Sequence, residues 1–152
     1  MSVNIRPIQL TDLPVIMEIE TLVYPFPWTL AIFQDCLRTG YELWLLEQTG
    51  QIMGYGIMST GAREAHILNI CVHPRERQQG YGRLLLTHLL KLAQQQQIEM
   101  VFLEVRYSNQ VAVNLYLQLG FNQIGLRKRY YPALSGREDA LIFALDLTIL
   151  QK

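Results

Sequence analysis

The sequence has little of what several protein classes need. Only two of its 152 residues are cysteines, Cys36 and Cys71, and neither has a CxxC partner. A disulfide framework and a zinc site are therefore not expected. No apolar run reaches the roughly 20 residues that a membrane-spanning helix requires. Residues 1–20 also lack the basic and apolar regions of a signal peptide. We expect a cytoplasmic protein that binds neither a metal nor a membrane.

Charge of one sign is not in excess either. Thirteen basic residues balance thirteen acidic ones, and half of all residues are hydrophobic. This composition is typical of a folded globular protein. The balance gives no argument for a nucleic-acid partner, and we interpret the basic cluster at 127–129 as a solvated bend or a wall of a peptide site. The length suits a single domain, residues 1–152, and a monomer is the working expectation.

Hydrophobic periodicity and turn residues predict eleven elements in the order β-α-α-β-β-β-α-β-α-β-β. Thr11 and Asp12 precede a first helix that Pro25 ends, and Thr29 caps a second helix that Gly40 stops. The remaining predicted helices cover 80–97 and 109–119; the predicted strands cover 3–6, 41–47, 52–59, 66–72, 100–105, 121–125 and 140–147. The order implies an α/β fold, with a mixed, twisted sheet of six to seven strands and about four flanking helices.

A glycine-containing loop precedes the third predicted helix. It reads Arg77-Gln78-Gln79-Gly80-Tyr81-Gly82-Arg83. Unpaired backbone N–H groups and the helix dipole make such a helix start an anion site, and glycine lets a phosphate approach closely. No GK[ST] follows, so the loop is not a Walker motif. Two interpretations stay open: a phosphate-binding loop, or glycines that serve only as turn and cap residues.

A second group of polar residues follows the strand at 100–105. Glu104 interrupts an apolar run, and an unpaired buried carboxylate is costly, so it must reach water, a substrate or a partner such as Arg106 or another arginine. Asn109 can be a ligand residue or simply a helix cap. Tyr116 shares a helical stripe with Leu119 and can be a functional hydroxyl or a core aromatic.

Taken together, these motifs resemble a known family. The spacing Arg-x-x-Gly-x-Gly before an amphipathic helix resembles the acetyl-CoA-binding N-acetyltransferases of the GNAT superfamily. Glu104-x(4)-Asn109-x(6)-Tyr116 followed by Leu-Gly-Phe resembles its RimI branch, and so do the FPW segment after Glu20 and the late segments Tyr-Tyr-Pro and Gly-x-Glu-Asp-Ala. Arg129 stands where the family usually has asparagine, Cys71 where a small alanine is usual, and Tyr24-Pro25 is unusual before FPW.

The resemblance implies an enzyme and a set of roles. The RimI family transfers acetyl from acetyl-CoA to the N-terminal alanine of small-subunit ribosomal protein number eighteen, so a ribosomal protein N-terminal peptide would be the partner. Glu104 would be the general base and Tyr116 the general acid of direct transfer in a ternary complex. Residues implied to bind the cofactor are Ile70, Cys71, Val72, Gln78, Gln79, Gly80, Tyr81, Gly82, Arg83 and Asn109. Residues implied to bind the substrate are Glu20, Phe26, Trp28, Tyr130 and Tyr131.

Four alternatives remain open at this stage. The same fold can acetylate another protein N-terminus, a lysine or a small amine. A non-catalytic acyl-CoA-binding module is a rival from another class, although the joint presence of Glu104 and Tyr116 argues against it.

Cys71 has no neighbouring base in the sequence, so we interpret it as a small buried thiol and not as a nucleophile. The three scattered histidines lack metal-ligand spacing.

Overall fold

The computed structural model describes residues 2–76 and 79–149. Within this range the elements follow the predicted order. The first half contains β1 (Asn4–Pro7), α1 (Leu13–Val23), α2 (Leu30–Arg38), β2 (Glu42–Gln48), β3 (Gln51–Gly61) and β4 (Glu64–Val72). The second half contains α3 (Tyr81–Gln95), β5 (Met100–Arg106), α4 (Gln110–Gln118), β6 (Asn122–Ala133) and β7 (Gly136–Asp146).

Local sequence signals set the ends of several helices. Pro14 lies in the first turn of α1, where its missing N–H removes no intrahelical hydrogen bond. At the start of α2, the Thr29 hydroxyl oxygen accepts a hydrogen bond from the Ile32 backbone N–H at 3.3 Å. Just beyond α2, Gly40 has a φ of +79°, a left-handed conformation that glycine adopts without steric cost. The predicted cap and stop of this helix are therefore confirmed.

The strands form one mixed sheet in the order β1-β2-β3-β4-β5-β7-β6. The pairs β1–β2 and β2–β3 are antiparallel, and β7 runs antiparallel to both β5 and β6. β4 and β5 are parallel, with a register that runs from Glu64↔Met100 to Ile67↔Leu103. A parallel pair needs a crossover, and α3 provides it. The predicted mixed sheet with four helices is confirmed.

The chain divides into two compact units, residues 1–59 with 68–92 and residues 60–67 with 93–152. The core of the first unit is aromatic at its centre: the Phe33 ring lies 5.2 Å from that of Trp28 and 6.0 Å from that of Tyr55. Gly54 and Gly56 of β3 allow close packing here. A Cβ on Gly54 would lie 2.7 Å from the Cys71 carbonyl oxygen, and one on Gly56 would lie 3.0 Å from the Leu89 side chain.

The second unit has its own core around α4. Phe121 and Phe143 are almost fully buried, and their rings lie 5.7 Å and 6.2 Å from the ring of Tyr116. Along β5, Val101, Leu103 and Val105 are buried while the alternate residues are only half-buried. We expected a strand covered on both faces, so β5 is more accessible on its second face than the apolar run indicated.

The last hairpin also differs from the prediction. β6 runs from Asn122 to Ala133 and β7 begins at Gly136, so both are longer than the segments 121–125 and 140–147 that periodicity indicated. The pairing register shifts between Arg127 and Tyr131, and Arg129 has a φ of +54°. The basic cluster at 127–129 therefore lies at an irregularity within a strand, where the two-residue alternation of buried and exposed side chains is interrupted.

Candidate active site

The start of α3 carries the predicted phosphate-binding loop. Gly80 has a φ of +80° with open space where a Cβ would lie, and its carbonyl oxygen accepts the Leu84 N–H at 3.0 Å. The next backbone N–H groups belong to the first turn, where no intrahelical partner exists. This geometry fits an anionic phosphate group. Gln79 and Arg83 are exposed beside it, and Gln78 lies outside the described residues.

The Tyr81 side chain points into the packing of the first unit. The Tyr81 hydroxyl donates to Gln48 Oε1 at 3.4 Å, and its ring packs against Leu46, Met53 and Leu85. Within the first unit, this side chain joins the start of α3 to β2 and β3. The contribution of Tyr81 and Gly82 to an anion site would therefore come from their backbone N–H groups.

Ile70, Cys71 and Val72, which the resemblance implies to bind acetyl-CoA, form the end of β4. Cys71 is buried, whereas Ile70 and Val72 are half-buried. The Tyr24 hydroxyl lies 3.0 Å from the Ile70 carbonyl oxygen and donates toward it. Cys71 contributes a small side chain to the core of the first unit, in agreement with its interpretation as a buried thiol.

The predicted acceptor residues of the first unit have different exposures. Phe26 is 41% exposed. Trp28 is half-buried against Phe33. Glu20 is only 1% exposed, and its carboxylate accepts hydrogen bonds from the Tyr55 hydroxyl, the Asn69 amide and the Trp28 backbone N–H. Its placement does not present it to a substrate.

Glu104 lies on the half-buried face of β5. Its side chain is 31% exposed, and Oε1 lies 3.8 Å from Nε of Arg127. Arg106 pairs instead with Glu138 at 2.9 Å and donates to the Pro132 carbonyl oxygen at 2.6 Å. The ion pair of Glu104 is thus with Arg127, which agrees with the expectation of an arginine partner other than Arg106. The long distance and the exposure leave the carboxylate accessible to water.

Tyr116 is 7% exposed on α4. Burial, and to a smaller extent Tyr131, raises the pKa of Tyr116 to about 12. The phenol is therefore protonated at neutral pH, as a proton donor must be. Its packing against Phe121 and Phe143 also satisfies the core-aromatic interpretation, so placement by itself is consistent with both roles.

Asn109 caps α4. Its Oδ1 accepts a hydrogen bond from the Ala112 N–H at 3.2 Å, which confirms the helix-cap interpretation. The side-chain NH₂ group is not used by this bond. A contact to coenzyme A through that group remains a prediction.

The two tyrosines predicted to bind substrate lie on β6 among charged groups. The rings of Tyr130 and Tyr131 meet edge to face at 5.0 Å. Arg127 lies over Tyr130 at 5.0 Å and Arg106 over Tyr131 at 4.5 Å. Burial first, and then the Glu104 carboxylate, raises the pKa of Tyr131 to about 12. Tyr131, Glu104 and Tyr116 thus form one electrostatic neighbourhood within the second unit.

Three residues of the Gly-x-Glu-Asp-Ala segment hold this hairpin, a role that sequence analysis missed. Arg137 donates to the carbonyl oxygens of Arg129 and Tyr130 at 2.8 and 2.7 Å. Asp139 accepts the Arg129 N–H at 2.9 Å, and Glu138 accepts the Ser108 N–H at 3.2 Å. The motif itself was visible in the sequence; its function as a scaffold for the Tyr-Tyr-Pro segment was not.

The described residues contain neither a cluster of metal-ligating side chains nor a helix suited to span a membrane. Residues 2–76 and 79–149 contain no group of three or more His, Cys, Asp or Glu side chains that could hold a metal ion. Across the same ranges, no helix is both long enough and apolar enough to cross a membrane.

Comparison with known proteins assigns the class. The model of the acetyltransferase (GNAT) family matches residues 12–121. The crystal structure of the ribosomal-protein-S18-alanine N-acetyltransferase from Escherichia coli superposes with a TM-score of 0.91 and 38% identity, and the match covers 95% of this chain and 94% of that chain. The fold and the family match define an acyltransferase of the GNAT superfamily.

Two curated relatives indicate the branch of the superfamily to which the chain belongs. The ribosomal protein bS18-alanine N-acetyltransferase of Escherichia coli is 38% identical over 146 residues, which cover 96% of this chain and 99% of that protein. The protein of the same name from Haemophilus influenzae is 34% identical over 144 residues, covering 94% of this chain and 98% of that protein. The chain therefore belongs to the RimI family of N-acetyltransferases.

Proposed function

We propose that this protein transfers an acetyl group from acetyl-CoA to the N-terminal alanine of ribosomal protein bS18. The observation that carries the proposal is the 38% identity, over 96% of the chain, with the Escherichia coli enzyme that is named for this reaction. Coverage of 99% of that relative supports residues 1–152 as one acetyltransferase domain. Because the acceptor is a ribosomal protein, the proposal places the enzyme in the cytoplasm.

The cofactor end is assigned to the first unit. The open, left-handed Gly80 and the first turn of α3 fit the pyrophosphate of acetyl-CoA. Gln78, Gln79, Tyr81, Gly82 and Arg83 would contribute backbone N–H groups or polar side chains around it. Backbone groups of Ile70, Cys71 and Val72 would bind the pantetheine arm and polarise the thioester carbonyl. In the second unit, the Asn109 amide would contact coenzyme A.

Glu104 is proposed as the general base. An α-amino group has a pKa of about 7.7–8.0, so a useful fraction of the acceptor is already neutral at physiological pH. Glu104 needs only to accept one proton as the new amide bond forms, directly or through a water. Its 31% exposure is compatible with either route.

Tyr116 is proposed as the general acid. The nitrogen–carbon bond forms as the carbon–sulfur bond breaks, and Tyr116 protonates the departing thiolate. Its pKa of about 12, raised by burial, keeps the phenol protonated until that moment. Phe26, Trp28, Tyr130 and Tyr131 are the residues proposed to line the acceptor, with transfer occurring directly between the two bound substrates.

The proposal is tested with a peptide that starts at the N-terminal alanine of bS18 and contains one internal lysine. The peptide is incubated with the protein and acetyl-CoA, and tandem mass spectrometry locates the acetyl group. We expect it on the α-amino group, and none on a control peptide whose N-terminus is blocked. Acetylation at lysine alone would favour the lysine alternative. Acetyl-CoA binding without turnover on peptides or small amines would favour a binding module.

A further inference from the structure

A carboxylate is buried in the last turns of α1, within the first unit. Glu20 is 1% exposed, although glutamate is almost never fully buried unless it is paired. Its Oε1 accepts from the Tyr55 hydroxyl at 2.7 Å and from Asn69 Nδ2 at 3.0 Å. Its Oε2 accepts from the Trp28 backbone N–H at 2.8 Å. Both oxygens are thus used by groups of the protein.

The donors around Glu20 are fixed in their orientation. Burial, and then the neighbouring Cys71 and Glu20 side chains, raises the pKa of Tyr55 far above its ordinary value, so its hydroxyl remains a donor. On the other side of the Asn69 amide, the single proton of the Tyr24 hydroxyl is shared between Asn69 Oδ1 at 3.3 Å and the Ile70 carbonyl oxygen at 3.0 Å. This polar contact at Oδ1 agrees with an amide whose Nδ2 faces Glu20. The oxygens of a carboxylate accept hydrogen bonds, so the two Glu20 oxygens match the three donors around them.

Two segments of proposed function meet at this one carboxylate. Trp28 is the last residue of the segment 25–28, which also contains Phe26. The Trp28 backbone N–H donates a hydrogen bond to Glu20. Asn69 directly precedes Ile70 on β4, the strand proposed to bind acetyl-CoA. Loss of the carboxylate would therefore free the segment 25–28, which is proposed to bind the acceptor, and would also remove a hydrogen-bond partner of Asn69 on β4.

We propose that Glu20 is a positioning residue for the acceptor, and that it acts through Trp28 and Asn69 without contacting the substrate. The inference rests on the proposed function, because that function makes 25–28 an acceptor segment. It replaces the expectation that Glu20 binds the substrate itself. A carboxylate with both oxygens occupied and 1% exposure has no free face to offer an amine.

The kinetic test uses Glu20→Gln, which keeps the shape but places an NH₂ donor against one of the three donors. Leaving a buried donor unpaired should raise the KM for the alanine peptide about tenfold or more, with a much smaller change in kcat. Tyr55→Phe removes one of the same hydrogen bonds and should raise KM in the same direction by less. Glu18→Gln, an exposed change on the same helix, is the matched control and should equal the parent. Unchanged KM, or a loss confined to kcat, would overturn the proposal.

A second readout does not depend on activity. The chain has two tryptophans, so in a Trp44→Phe background the fluorescence reports on Trp28 alone. Acrylamide quenching should increase when Glu20→Gln is added and stay unchanged with Glu18→Gln. If Glu20→Gln does not fold, Tyr55→Phe decides by both readouts. A parent protein with no acetyl transfer would contradict the proposed function, whereas unchanged quenching would contradict the positioning role.

Discussion

Arg127 Nε lies 3.8 Å from Glu104 Oε1, although β7 separates the strands that carry them. Ala140 of β7 is the register partner of both Arg106 and Arg127, and its methyl group leaves room for long side chains on that face of the sheet. The proposed base therefore stands beside a cation that comes from two strands away. This pair distinguishes Glu104 from Glu138, whose carboxylate is held by Arg106 and by a backbone N–H.

Glu104→Gln should lower kcat while leaving the affinity for acetyl-CoA nearly intact. A positioned general base typically contributes about 10²–10⁴-fold. The loss should shrink as the pH rises through about 8, because the acceptor amine is then increasingly neutral without help. The measurement is steady-state kcat across pH, with Glu99→Gln as an exposed carboxylate control. A variant rate equal to the parent rate at every pH would leave Glu104 without a base role.

Tyr116→Phe should impair turnover more than stability. Phenylalanine keeps the packing against Phe121 and Phe143 and removes only the hydroxyl. If the phenol protonates the departing thiolate, kcat should fall by about 10²-fold or more while Tm changes little. Steady-state assays on the alanine peptide and thermal melts of both proteins provide the comparison. Parent-like turnover would return Tyr116 to a core role alone.

Gly80→Asp should weaken acetyl-CoA binding because it puts a negative charge at the proposed pyrophosphate site. The side chain meets open space but must adopt a φ of +80°, so strain has to be separated from charge. Gly80→Asn has nearly the same shape and the same backbone demand without the charge. Calorimetry should show a tenfold or larger loss for Asp relative to Asn, about 1.4 kcal/mol. Equal affinities for the two variants would move the phosphate site elsewhere.

Asn109→Ser separates the cap from the proposed cofactor contact. Serine caps helices about as well as asparagine, whereas alanine at this position should cost about 1 kcal/mol of stability. The serine variant should therefore retain its Tm but bind acetyl-CoA more weakly, because the side-chain NH₂ is gone. Unchanged binding in a variant of unchanged stability would show that Asn109 is a cap and nothing more.

Local signals allowed much of the fold to be predicted. Thr29, Gly40 and Asn109 act within a few residues of their own position, so the sequence contains the information needed to place them. The length of β6 could not be predicted in this way. Its register shift and the left-handed Arg129 are stabilised by Arg137 and Asp139 on the next strand. Strand alternation breaks at such a point, and periodicity alone ends the element too early.

The sequence indicated candidate residues for the site but could not indicate their partners in the fold. Glu104 was identified from the cost of burying a carboxylate in an apolar strand, yet its arginine comes from β6, a partner set by sheet order. Glu20 was assigned to the substrate from a motif. Its actual neighbours, Tyr55 and Asn69, lie on two later strands and reach it only in the folded core. Contacts of this range depend on topology and not on spacing.

The central claim is tested most directly on bS18 itself. A bacterium that lacks its own bS18 acetyltransferase would express either the parent protein or Glu104→Gln, and the N-terminal peptide of bS18 would be analysed by mass spectrometry. The account predicts an acetylated N-terminal alanine with the parent and an essentially unmodified one with the variant. An unmodified N-terminus in cells that contain folded, acetyl-CoA-binding parent protein would contradict it.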